Sequence, residues 1–567
     1  MTDNLQKPMK WWGWGADGEA PDFDNKPHLW GYITAHLGLD GKPPKSSPPP
    51  SSAKLPPAQT CPPFAEAMQK CGLQLYADDR QRLLHFGGKS FRDLWHARRG
   101  IIPAAPDAVV YLQNDADAAS LIRAAQSFDV VVIPFGGGSN IAGCLMPYDG
   151  KRRMIVAADT TMMNQLLSIN EQAQTARMQA GALGGVLEQQ LGEKGWTFGH
   201  FPDSFLHSTL GGWIATRSAG MQSDEYGNIE NLIAGLKVQT PAGEWIIKPH
   251  PRSAAAVNQK EVVLGSEGTF GIITEAVIKI RRAPQCKLFY GYLFADFAAG
   301  LAAVQECMQR GINPLLSRLS DYNRTALSFS FRDGHGGGIM QKAAKCYMQK
   351  VRGVNFGKCC LMITAFEGSA QECRQKFRAA NAIFGKYGGV FAGRGPGDNF
   401  ARAKFDFPHI RDYLWDYGLY ADVSETATQW DNAENLRTKA LASLESVFAV
   451  RGLRGWCGCH LSHSYRNGAS LYFSFAFKGE GGDDDLLHYF AAKKAVQDAF
   501  AENGGTLSHH HAVGTDHAPW LEDELSPLGI AVIGGIKSQT DPRGIMNPGK
   551  LRPLSFDNWR ADIPADK

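Results

Sequence analysis

The stretch Pro134-Phe135-Gly136-Gly137-Gly138-Ser139-Asn140 follows the apolar run Val130 to Ile133, and its reading decides the fold. Four apolar, β-branched residues predict a buried strand. Three glycines at its end let the backbone curl so that several N–H groups can aim at one anion, such as a pyrophosphate. The spacing is not G-x-G-x-x-G, and no Lys-Ser/Thr follows, so neither the Rossmann fingerprint nor a Walker loop fits. Taken alone, the segment also reads as a tight turn.

A second glycine-rich segment lies far downstream. Gly265-Ser266-Glu267-Gly268-Thr269-Phe270-Gly271-Ile272-Ile273-Thr274-Glu275-Ala276 runs into an alternating strand, Val277 to Arg281. Between the two stand Pro202-Asp203-Ser204-Phe205-Leu206-His207-Ser208-Thr209-Leu210-Gly211-Gly212-Trp213-Ile214-Ala215-Thr216, then Ser218-Ala219-Gly220 and Tyr226-Gly227-Asn228-Ile229-Glu230. Three loops of glycine and small hydroxylated residues suit a long ligand held largely by main chain. In order, spacing and loop chemistry they resemble the FAD-binding domain of the vanillyl-alcohol-oxidase and p-cresol-methylhydroxylase flavoproteins, over residues 105 to 285. The resemblance implies an α+β fold: a two-subdomain FAD-binding (PCMH-type) domain, an α+β cap domain, and a C-terminal segment returning to the flavin.

Composition bounds the alternatives. At 567 residues with 44% hydrophobic content, the chain can bury a large core divided into two or three folding units. A net charge of +3 over that length argues against a nucleic-acid footprint. Eleven cysteines without regular spacing point to reduced thiols and a cytoplasmic setting. The polar, tryptophan-rich start has no signal-peptide core, and no run of eighteen apolar residues predicts a membrane span.

Residues 1–63 read as an N-terminal extension ending in a Pro/Ser-rich linker, Gly41 to Pro63, which cannot pack a core. A helical lead-in is expected over 64–104, with Phe64, Met68 and Leu73 on its apolar face. The alternation strand Ala108 to Leu112, helix Asp115 to Phe128, strand Val130 to Ile133 opens an α/β arrangement within the FAD-binding unit, 105–284. A cap or substrate domain over 285–499 and a C-terminal segment, 500–567, complete the division.

Within the flavoprotein family, the alkyldihydroxyacetonephosphate synthase branch of ether-lipid synthesis is the one this chain resembles. Met9-Lys10-Trp11-Trp12-Gly13-Trp14-Gly15, the block Asp203 to Glu230, and Ser508-His509-His510-His511-Ala512-Val513-Gly514 carry the likeness. It implies FAD contacts from Pro134, Gly136, Gly137, Gly138, Ser139, Asn140, Asp203, Ser204, Ser208, Thr209, Thr216, Glu267, Gly268, Thr269, Gly271, Ile272 and Ile273. Ser139 stands where some relatives carry a flavin-tethering histidine, so noncovalent FAD is expected. The likeness also implies that Tyr472 is a general acid/base, that His509, His510 and His511 border the reaction centre, and that Arg318 and Arg411 grip a phosphate.

Each of these residues has a plainer reading. Tyr472 sits in the alternating run Gly468 to Phe477 and could be packing with a hydrogen-bonded tip. The arginines could be surface salt-bridge residues. Imidazoles near His517 could hold a metal, although neighbours on a strand point to opposite faces and no metal is expected.

The implied reaction exchanges the acyl group of an acyl-dihydroxyacetone phosphate for a long-chain alcohol, without net electron transfer. Residues Tyr413 to Tyr417 are candidates to line the alkyl passage. A small-molecule or lipid substrate follows, with peripheral membrane contact and a homodimer as open expectations. Two departures keep a second reading alive. Thr515-Asp516-His517 replaces the basic residues of the synthase pattern, and Asp541-Pro542-Arg543-Gly544-Ile545-Met546-Asn547-Pro548-Gly549 is similar to FAD-linked 2-hydroxyacid dehydrogenases or oxidases of the D-lactate and glycolate type. A flavin-binding protein without turnover is the third.

Overall fold

A computed structural model describes residues 7–45, 52–148, 153–331 and 346–561. Three principal sheets carry the fold. In the smallest, Ala108–Tyr111, Ile155–Asp159 and Val131–Phe135 run parallel, with Ile155–Asp159 in the centre. Parallel neighbours need a crossover, and the helix Asp115–Phe128 supplies part of it. The Asn114 side chain caps its start by accepting from Asp117 N at 3.0 Å, and Asp129 ends it in the left-handed conformation (φ 54°). Leu121, Ile122 and Ala125 bury one helix face against Val110, Val132 and Val156.

The second sheet is antiparallel, in the order Leu166–Asn170, Thr175–Gln179, Ile272–Lys279, Ile233–Thr240, Gly243–Ile247. The third has seven strands: Val390–Gly393, Cys286–Phe294, Cys360–Gly368, Leu316–Ser320, Gly455–Ser464, Gly468–Lys478 and Leu419–Gln429. Alternation along Gly468–Lys478 gives this sheet two different faces. Leu471, Phe473, Phe475 and Phe477 are buried in the largest core with residues of the helices Phe297–Gln309, Ala433–Val450 and Asp484–Glu502. Burying each such phenylalanine stabilises by about 1.5–3 kcal/mol. Ser470, Tyr472 and Ser474 occupy the other face.

The chain's end returns to the first sheet. Val132 N donates to Ile545 O at 2.8 Å and Asn547 N to Val132 O at 2.9 Å, so Met546 is held beside that strand. Asp541 makes the turn possible by accepting from Ile545 N and Met546 N at 3.0 and 2.7 Å. The motif at 541–549 therefore closes against the first sheet.

Several expectations need correction. The lead-in is three short helices, Pro62–Lys70, Asp79–Leu84 and Phe91–Arg98, interrupted at Gly72 (φ 74°) and around Gly87-Gly88. The strand expected at Val130 to Ile133 lies at Val131–Phe135. Part of the Pro/Ser-rich segment does pack: Ala53 and Leu55 lie against the cluster of Leu83, Phe86 and Ile102, and Lys54 bridges Ile101. Residues 46–51 of that segment lie outside the described residues. None of the eleven cysteines is in a disulfide. Among the described residues no helix is long and apolar enough to cross a membrane.

Candidate active site

A cavity of about 290 Å³ runs between the first two sheets and the open face of the seven-stranded sheet. At one end the loop Gly136 to Asn140 leaves the strand Val131–Phe135 and forms the wall. Glycine is required there by close approach: a Cβ on Gly137 would stand 1.8 Å from the His207 carbonyl oxygen, and Gly138 has φ +69°. The amides of Gly137, Gly138 and Ser139 donate to no described residue. Such a cluster of free N–H dipoles in a glycine cradle fits a pyrophosphate, so the residues present suit FAD.

Asp203, Ser204, Ser208, Thr209, Thr216, Glu267, Gly268, Gly271, Ile272 and Ile273 share this wall, as does Pro134. Several of their side chains are already engaged. Ser208 Oγ accepts from Trp213 Nε1 at 2.6 Å, Thr209 caps the helix Leu210–Ala215 through Gly212 N at 3.1 Å, and Thr216 Oγ1 donates to Gly212 O at 2.9 Å. These hydroxyls shape the cradle. Thr269 lies off the wall, buried, with its hydroxyl donating to Ser266 O at 2.7 Å. The Glu267 carboxylate is engaged with the C-terminal segment. It accepts from Val513 N at 2.7 Å and Gly514 N at 3.0 Å, and burial raises its pKa.

The other end is built on the open sheet face. Cross-strand register sets Glu425, Tyr472 and His460 in one row on three adjacent strands. Tyr472, His460, His463, His510 and His511 line the cavity. The rings of His460 and Tyr472 are 4.9 Å apart, and those of Tyr472 and His511 meet at 5.4 Å. Burial pushes the Tyr472 phenol well above its ordinary range, with Asp203 adding to the rise and Arg324 and Arg318 opposing it. The Tyr472 phenol is therefore held in its protonated form. Burial drives His511 well below its ordinary value, so its imidazole is neutral.

The three histidines do not form a strand, so their rings are not set on alternating faces, yet no single cluster of ring nitrogens contains all three. Residues 508–511 bend around the buried Glu425 carboxylate, which brings the His509 and His510 Nδ1 atoms to 2.9 Å. Ring nitrogens of His463, His509 and His510 lie within 4.8 Å of one another. His509 itself stands off the cavity wall, its Nε2 meeting the Tyr465 hydroxyl, which in turn accepts from Asn228 Nδ2 at 2.8 Å. Burial, with His510 adding to it, lowers the His509 pKa to about 4.

Both predicted arginines reach this end. Arg318, on the strand Leu316–Ser320, has its guanidinium 5.7 Å from the Phe400 ring centre, and that group makes no ion pair or hydrogen bond with a described residue. Arg411, on the helix His409–Trp415, has Asp422 Oδ1 at 3.8 Å. Neither is a surface salt-bridge residue. Of Tyr413 to Tyr417, only Leu414 lines an apolar cavity, a second one of about 90 Å³ that shares Phe407 and Val423 with the first. Tyr413 and Tyr417 pack instead on the N-terminal Phe23 and Trp30.

Sequence reading missed Glu425, His460, His463 and Trp14 as site residues. Trp14 lies on the wall beside His207, ring centres 6.0 Å apart. The Met9 to Gly15 motif signalled it; His460-x-x-His463 was a readable pair, and Glu425 had no local signal.

This glycine cradle joined to a proton-handling sheet face defines an FAD-linked oxidase-type flavoprotein. The family model described as FAD binding domain matches residues 106–247, and that of FAD linked oxidases, C-terminal domain, matches 283–551. The chain is 34% identical to the alkyldihydroxyacetonephosphate synthase of Trypanosoma brucei brucei, covering 98% of this chain and 94% of that one. It is 36% identical to that of Dictyostelium discoideum, over 97% and 94% of the two chains. A solved alkyldihydroxyacetonephosphate synthase superposes with a TM-score of 0.83 at 33% identity, covering 96% of this chain and 99% of the other. The chain belongs to the alkyldihydroxyacetonephosphate synthase family, and FAD is its cofactor.

Proposed function

We propose that the chain exchanges the acyl group of an acyl-dihydroxyacetone phosphate for a long-chain alcohol. The carrying observation is that one cavity brings two guanidinium groups, a protonated phenol and four imidazoles to the end of the FAD cradle. In the exchange the C–O bond to the acyl group breaks, the alcohol oxygen bonds to the same carbon, and the fatty acid leaves with the alcohol's proton. Atoms balance and no electron pair leaves the system. FAD, when bound, supplies a polarisable ring beside the reacting carbon.

Arg318 and Arg411 hold the phosphate and thereby fix the three-carbon unit. Tyr472 gives a proton to, or takes one from, the carbon being substituted, and His511 accepts and returns it. Phe400 and Phe407 on the wall keep water from competing with the alcohol. The second apolar cavity, lined by Ile33, Leu37 and Leu414, receives the alkyl chain. The units 105–284 and 285–499 divide these tasks between cofactor and substrate, with 500–567 bridging them. A long-chain alcohol resides in membranes, so the reading carries contact with a lipid surface. Ser139 at the tethering position supports noncovalent FAD.

The test mixes purified protein with acyl-dihydroxyacetone phosphate and an isotopically labelled long-chain alcohol. Label incorporated with loss of fatty acid and no flavin bleaching is the expected result. Bleaching by D-lactate or glycolate without incorporation would replace this reading with a 2-hydroxyacid dehydrogenase.

A further inference from the structure

We infer that Glu425 is a positioning residue, a buried carboxylate that gathers the histidine loop and fixes where His510 and His511 stand against Tyr472. This inference rests on the function proposed above for the same site. Glu425 is on the strand Leu419–Gln429 with its side chain fully buried. Its Oε1 accepts from Ser508 Oγ at 2.7 Å, His510 N at 3.1 Å and His511 N at 3.0 Å, and its Oε2 accepts from His509 N at 2.7 Å. Four donors nearly fill the carboxylate's capacity. Against the cost of burial, the adjacent His510 holds Glu425 well below the usual carboxylate range, so it stays ionised.

Three successive amides turned toward one carboxylate cannot belong to a strand, whose amides alternate in direction, and the loop here is neither strand nor helix. Its bend is imposed from outside. A second buried carboxylate takes over where the first ends, since Glu267 accepts from the amides of Val513 and Gly514. Glu425 belongs to the seven-stranded sheet and Glu267 to the loop before the strand Ile272–Lys279. The histidine segment is thus held between two carboxylates on two parts of the fold. Ala512, between the anchored stretches, has φ 76°, a strained value for a residue with a Cβ. The strain is sustained because both sides are fixed, and it sets the ring spacings of 4.4 Å for His510–His511 and 5.4 Å for Tyr472–His511.

Two variants test this. Glu425→Gln keeps the shape but turns an NH₂ toward the His509 N–H, so donor faces donor and the loop must shift. Ala512→Gly relaxes the loop without touching either carboxylate. We expect both to keep FAD; Glu425→Gln should lower kcat by about 10²-fold with KM unchanged, the scale of an ångström-sized misplacement. Ala512→Gly should lower kcat less, and the visible circular dichroism of the bound flavin should change in both. Full kcat per bound flavin in Glu425→Gln overturns the inference. So does activity lost only in step with FAD content and melting temperature while Ala512→Gly matches the wild type. If Glu425→Gln does not fold, Ala512→Gly decides alone, and wild-type kcat and dichroism would overturn the inference. A wild-type protein without acyl-for-alcohol exchange defeats the proposed function instead; the dichroism, recorded without substrate, then still decides the role of Glu425.

Discussion

The ring of Tyr472 meets that of His511 edge to face, with centres 5.4 Å apart and planes at 86°. One ring carries a phenol held protonated by burial, the other an imidazole held neutral by burial. Both shifts keep the proton on the phenol, so the resting site holds a protonated Tyr472 beside a neutral His511, and the Tyr472 hydroxyl is the group there that can exchange a proton with a bound substrate. Tyr472→Phe should therefore keep FAD content and melting temperature but lower turnover by roughly 10²–10⁴-fold. Rates per bound flavin and a melting curve on one preparation check it. Full activity in the variant ends the role given to Tyr472.

The arginines should separate by how each is held. Arg318 lacks a described partner, so Arg318→Ala should raise KM for a phosphate-bearing substrate, losing on the order of 1.5–3 kcal/mol of charge-assisted binding. Folding should be unaffected. Arg411 faces the buried Asp422 at 3.8 Å, so Arg411→Ala should both raise KM and lower the melting temperature, because a buried carboxylate loses its counter-charge. Steady-state kinetics with differential scanning fluorimetry distinguishes the two. Equal and unchanged KM in both variants would remove the phosphate grip.

Ser139 offers no imidazole for attachment to FAD, and it occupies the cradle loop itself. Acid precipitation should release yellow FAD into the supernatant. Flavin colour retained by the washed pellet would show a covalent link through some other side chain.

How far the sequence carried these assignments depends on whether the signal was local. The helix Asp115–Phe128 was readable to the residue, because it stands between two short apolar strand runs in sequence. The three glycine-rich loops were readable because close backbone approach leaves glycine as the only residue that fits, as Gly137 shows. Glu425 was silent: its donors are more than eighty residues away in the chain, and a glutamate in a strand carries no mark of them. The bend at His509 to His511 was misread for the same reason, since adjacent histidines look like strand until the carboxylate beneath them is known. Trp14 and the pair His460 and His463 had motifs but no indication of which wall they would meet.

The last prediction concerns acid stability, read at His517. Its Nδ1 is bonded to Ala512 O at 2.7 Å, and burial, with Lys493 adding to it, drives its pKa to about 3 against an ordinary 6.5. The folded-state pKa is depressed, so the unfolded chain binds a proton that the folded one refuses. Stability is then fully present above pH 6.5 and is lost as pH falls toward about 3. At pH 5 the unfolded histidine is almost fully protonated and the folded one is not, which costs about 2 kcal/mol by linkage. Glutamine at this position does not titrate. On going from pH 7 to 5, His517→Gln should therefore lose about 2 kcal/mol less stability than the wild type, whatever its stability at pH 7. Urea unfolding of both proteins at the two pH values measures that difference directly, and parallel losses would mean that His517 titrates in the folded protein as it does in water.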